Sequence, residues 1–124
     1  MTEKQKELKI GIGNLEIERT ILKPKKVNIV GVTIEQLSKA KKVVFMVKHP
    51  DKEETIKISS VSHLVDKSVK NVGTWLSLDK EGKLQKGTGL VSLLNSLNCN
   101  NIEETEGKEA ETELDGDFLV FKAY

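Results

Sequence analysis

The sequence predicts a mainly β domain, a small curved or closed β-barrel of six to eight short strands with one helix before a C-terminal hairpin. Three observations predict it. Apolar residues alternate with period two along several runs of strand length, and two of these runs slip phase beside a glycine, as a sheet does at a bulge or sharp bend. Helical spacing is convincing only once, at Leu90, Leu93, Leu94 and Leu97. Near the end of the chain, Asp115-Gly116 separates two runs of strand character, which is a hairpin signature.

Residues 1–7 show no periodicity and are expected to be disordered, leaving a single β-rich domain over 8–124. In Leu8 to Ile17 the alternation slips around Gly13-Asn14, the pattern of two short strands joined by a turn or of one bulged strand. Pro24 marks an edge or a strand start, and Val27 to Ile34 forms the next strand, slipping near Gly31. Glu35 to Lys42 is a polar surface connection with room for one helical turn. The unbroken run Val43 to Val47 predicts a strand buried on both faces. It forms a hairpin with Thr55 to Ser59 through the turn residues His49-Pro50-Asp51-Lys52. A further strand is expected over about 73–78, closed by a type I turn at Asp79-Lys80-Glu81-Gly82.

Thr88 is the expected N-cap of the leucine helix, and the run Asn98 to Asn101 is its terminator. With Asp115 and Gly116 as hairpin loop residues, Thr112 faces Leu119 and Ala110 faces Phe121. Those four then belong to the core. The opposite face carries Glu109, Glu111 and Glu113 beside Phe118 and Val120.

The net charge of +1 conceals a strong polarity. Residues 1–52 sum to +6, residues 53–98 to +1 and residues 99–124 to −6. A positive end of this kind can attract phosphate even in a near-neutral chain, because the local potential governs the encounter. Arg19 is the only arginine, so bidentate reading of guanine has little to work with. The lone Cys99 allows no internal disulfide, and the longest apolar run is far too short to span a bilayer. A cytoplasmic protein with no membrane partner is expected.

Catalytic constellations are not legible. His49 and His63 stand fourteen residues apart with no i, i+4 partner and no cysteine pair, so no metal site is expected. Cys99 reads as a packing residue. Gly11-Ile12-Gly13 lacks the third glycine of a dinucleotide fingerprint. Lys86-Gly87-Thr88-Gly89 precedes the helix, where free amides and a lysine can hold an anion, but the rest of a phosphate-binding loop is missing. The expectation is a non-enzymatic protein without cofactor.

A lysine-rich first strand pair, the segment Gly73-Thr74-Trp75-Leu76-Ser77-Leu78-Asp79, a short leucine helix over 88–98, Glu106-Gly107-Lys108 and a closing hairpin ending at Phe118 to Tyr124 follow one another. This layout resembles small OB-fold-type single-stranded-nucleic-acid-binding proteins of phages and archaea. The resemblance covers residues 25–124 and implies an OB-like barrel that binds nucleic acid, with Trp75 in a stacking position.

Two functional expectations result. In the first, Lys23, Lys25, Lys26, Lys39, Lys41 and Lys42 share one rim and hold single-stranded nucleic acid without sequence preference, Trp75 stacking on a base. In the second, the acidic hairpin face with Phe118 and Val120 meets a protein partner or the basic end of another copy.

Overall fold

Alternating β-branched and polar residues dominate the chain, and strands dominate the fold. The computed structural model describes residues 21–124. The expectations for residues 1–7 and for the strand pair in 8–17 lie outside the described residues. Eight strands and one helix follow in order: β1 (Val27–Leu37), β2 (Ala40–Lys48), β3 (Ile56–Ile58), β4 (Ser60–Val65), β5 (Ser68–Gly73), α1 (Gly89–Ser96), β6 (Glu109–Ala110), β7 (Thr112–Asp115) and β8 (Phe118–Ala123). A short 3-10 turn at Glu103–Thr105 precedes β6.

The strands form two four-stranded sheets, ordered β3-β2-β1-β6 and β5-β4-β8-β7. The chain passes from one sheet to the other twice without a loop, at Ser59 between β3 and β4 and at Glu111 between β6 and β7. Joined at these two bends, the pairings run around a ring: β1, β2, the β3–β4 ribbon, β8, the β6–β7 ribbon and back to β1. The result is a small curved β-barrel. β4 and β8 run parallel, and the other pairs are antiparallel. β5 lies outside the ring, paired only to β4.

Alternation fills the ring. Val27, Ile29, Val43, Phe45, Val47, Ile58, Val61 and Phe121 point inward, and Phe45 meets Phe121 edge to face with ring centroids 5.2 Å apart. One end is plugged by α1, which buries Leu90, Leu93 and Leu94. The Thr88 hydroxyl accepts from the Val91 amide at its start, and Asn98, at φ 56°, follows its last turn. Gly89 lets the helix approach the sheet, since a Cβ there would stand 2.4 Å from Val72 Cγ2 and 2.7 Å from Val61 Cγ1.

Several expectations are met in detail. The phase slip near Gly31 is a bulge in the β1–β2 register between Ile29 and Gly31. The β2–β3 hairpin pairs Phe45 with Ile58 and Val47 with Ile56, and Val44 is buried along with the inward residues of β2. At the expected type I turn, Gly82 N donates to Asp79 O at 3.1 Å, and Asp79 Oδ1 accepts from the amides of Glu81 and Lys83.

Three expectations are corrected. Glu35 to Lys42 contains no helical turn; the strands continue to a two-residue turn at Ser38-Lys39, with Ser38 at φ 56°. The strand expected over 73–78 is an extended edge segment after β5. It leans on the start of β2 through Val43 N to Thr74 O at 2.9 Å and Leu76 N to Lys41 O at 2.8 Å. The C-terminal loop residues are Gly116 and Asp117, so Thr112 pairs with Phe121 and Leu114 with Leu119. Moving the turn by one residue moves each partner by two. The faces keep their identity, and Ala110, Thr112 and Phe121 are buried as expected. Among the described residues, no helix is long and apolar enough to cross a membrane.

Candidate nucleic-acid interface

The fold divides the six candidate lysines into two groups. Lys23, Lys25 and Lys26 precede β1, whereas Lys39, Lys41 and Lys42 lie at the far end of the β1–β2 hairpin. At about 3.3 Å per residue, the strand between them spans roughly 30 Å. The single rim expected from the sequence is therefore not formed. The first group is also interleaved with carboxylates, because Lys25 Nζ lies 2.9 Å from Asp51 Oδ2 and Lys26 Nζ lies 3.7 Å from Glu109 Oε1. The hydrogen bond from Lys25 holds the Asp51 carboxyl below its ordinary range.

The second group leads onto a different array. Strand periodicity puts Lys42, Val44, Met46 and Lys48 on the face of β2 that points away from Phe45 and the barrel interior. Register adds Lys57 of β3 opposite Met46, and Thr33 and Gly31 of β1 opposite Val44 and Met46. Lys42, Lys48 and Lys57 thus project from one outer face, the β2–β3 strip. Two acids stand at paired positions of this face: Glu35 opposite Lys42, and Glu109, itself ion-paired with Lys26, across Asn28 from Lys48. None of Lys39, Lys41, Lys42, Lys48 and Lys57 is in an ion pair among the described residues. Gly31 keeps the strip low, since the Met46 methyl lies 2.8 Å from where a Gly31 Cβ would stand.

Trp75 closes one end of the strip. It forms an antiparallel bridge with Lys42, whose ammonium lies 5.1 Å from the indole centroid. The side chain is held in place yet 40% exposed. Behind it opens a cavity of about 330 Å³ whose lining includes Val65, Val72, Trp75, His63 and Thr88.

No protein-family model, curated protein or solved structure matches this chain.

The remaining candidates have other surroundings. Val120 is buried, at 3% exposure, so it does not form the surface pair with Phe118 expected from the sequence. Phe118, at the β7–β8 turn, is 76% exposed and borders a depression with Leu22, Ile56 and Lys57. His49 is buried with both ring nitrogens engaged: Nε2 donates to Lys23 O at 2.7 Å, and Nδ1 accepts from Asp51 N at 3.0 Å. That arrangement makes it a structural link between the turn and the segment before β1. Cys99 is buried, and the loss of water around it pushes its thiol above the ordinary range.

Lys48 and Lys57 were missed by grouping lysines through their closeness in sequence. The signal that finds them is the period-two step from Lys42 to Lys48 together with the β2–β3 register.

Proposed function

We propose that this protein is a non-enzymatic module that binds single-stranded nucleic acid along the outer face of β2 and β3. Lys42, Lys48 and Lys57 contact phosphates there, joined at the hairpin end by Lys39 and Lys41, and Trp75 offers a stacking platform. The observation that carries the reading is the half-exposed indole beneath the Lys42 ammonium at the end of a strip of lysines without ion-pair partners. Phosphate charge and base surface are the two features every single strand presents. Lys42 and Lys48 are six residues apart on one strand, about 20 Å at ordinary strand rise, which matches a few nucleotides of extended backbone. The strand connectivity supports the reading too. A five-membered ring with a helix between its third and fourth members has the OB-type plan, in which the face of the second and third strands binds oligonucleotides.

The test is direct because Trp75 is the only tryptophan in the chain. Titration with oligothymidylate at about 50 mM salt is expected to quench its fluorescence saturably, and the affinity is expected to fall steeply as salt rises. An unchanged emission together with unchanged anisotropy of a labelled strand refutes the proposal.

A further inference from the structure

The cavity behind Trp75 contains a group that the strip of lysines leaves unexplained. His63 of β4 is only 3% exposed, and its Nδ1 is paired with Ser92 Oγ of α1 at 2.9 Å. No partner engages Nε2. Yet no buried side-chain nitrogen or oxygen among the described residues lacks a partner, so Nε2 opens onto the cavity that His63 lines. The adjacent Cδ2 lies 3.8 Å from the Cβ position of Gly89, which places this edge of the ring beside the start of α1. One wall is the Trp75 indole, and Val65 and Val72 provide apolar surface. Ser77 and Thr88 add hydroxyls. The volume of about 330 Å³ falls near the lower end of the roughly 300–1,000 Å³ typical of small-molecule sites.

A flat apolar ring with a hydrogen-bonding edge fits these walls: the indole and valines take its faces, and His63 Nε2 meets its edge. We propose that the cavity receives one heteroaromatic base of the bound strand, turned out of the run of nucleotides whose phosphates stay on the β2–β3 strip. This rests on the proposed function and adds to it a defined base pocket between Trp75 and the N-terminus of α1. Nε2 can serve as donor or acceptor according to the tautomer, so the pocket selects for having a base rather than for one base.

The experiment compares a labelled deoxyoligonucleotide with an abasic strand of equal length, by anisotropy at about 50 mM salt. It uses the full chain, His63→Phe and Ser77→Phe. The unsubstituted protein is expected to hold the base-bearing strand about tenfold more tightly than the abasic one, the order of one stacked base. Both variants are expected to reduce that ratio to about threefold or less while binding the abasic strand as before. Because His63 is buried, its variant is checked by thermal melting, and Ser77→Phe, which fills the cavity from a less buried position, decides the matter if His63→Phe does not fold. Retention of the full ratio in folded Ser77→Phe overturns the pocket, since the base then sits on the outer surface of Trp75 and the strip reading stands. Equal affinity of the unsubstituted protein for both strands also overturns it. Failure to bind either strand removes the proposed function and the pocket with it.

Discussion

If phosphates lie on the outer face of β2 and β3, salt dependence counts the lysines that touch them. For single strands, the slope of log K against log salt is about −0.7 per phosphate neutralised. Lys42, Lys48 and Lys57 alone give a slope near −2, and Lys39 and Lys41 bring it to about −3.5. Between about 50 and 200 mM salt these slopes correspond to affinity losses of roughly twentyfold and one hundredfold. Lys57→Gln removes one contact from an exposed position on β3, so its slope is expected to flatten by about 0.7. Lys25→Gln is the control, because that ammonium is already engaged by Asp51. The assay is anisotropy of a labelled oligothymidylate at four or more salt concentrations. A flattened slope for Lys25→Gln, or an unaltered one for Lys57→Gln, refutes the placement of the strand.

Three further outcomes are expected. Trp75→Ala should weaken strand binding by about 1–3 kcal/mol, measured by the same titration, with the melting temperature reporting any loss of the Lys42 contact. Gly89→Ala should lower stability by about 1–3 kcal/mol in urea denaturation, although alanine is the better helix former, because its methyl meets Val72 and Val61 and α1 must move. A stabilised variant would show that α1 yields freely. Asp51→Asn tests the Lys25 pair: a carboxyl held low in the folded state contributes stability above its unfolded value of about 3.9 and loses it as pH falls through the lower folded value. Thermal melts of the parent should therefore lose slightly more stability than those of Asp51→Asn below about pH 4, by a small margin for so exposed a pair.

Much of the barrel is written in local pattern. The slip at Gly31 marks the β1 bulge, the Val43 to Val47 run marks the central strand, and the four leucines mark α1. The β4–β5 hairpin is not legible in this way, for two physical reasons. Its turn, Asp66-Lys67, adopts positive φ at both residues without a glycine to announce it. β4 also buries Ser62 and His63, whose hydroxyl and Nδ1 are met by Asn71 and Ser92, partners that come only with the tertiary structure. The proposed interface is half legible. Lys42 and Trp75 were named from the sequence, whereas Lys48 and Lys57 join them through strand register, and Lys23, Lys25 and Lys26 are carried to the opposite end by the length of β1.

The position of β8 bears on how the molecule is made. Its six residues touch β7 on one side and β4 on the other, and they alone tie those two together in the sheet. A nascent chain that has emerged as far as α1 has β1 to β5 in hand but nothing with which to shut the ring. Closure awaits a strand some sixty positions downstream of β4, so assembly of the ring is expected to be slow for a domain of this length. Proteolytic nicking in the β7–β8 turn would leave the fragment ends paired, whereas loss of 118–123 would unlatch the whole ring.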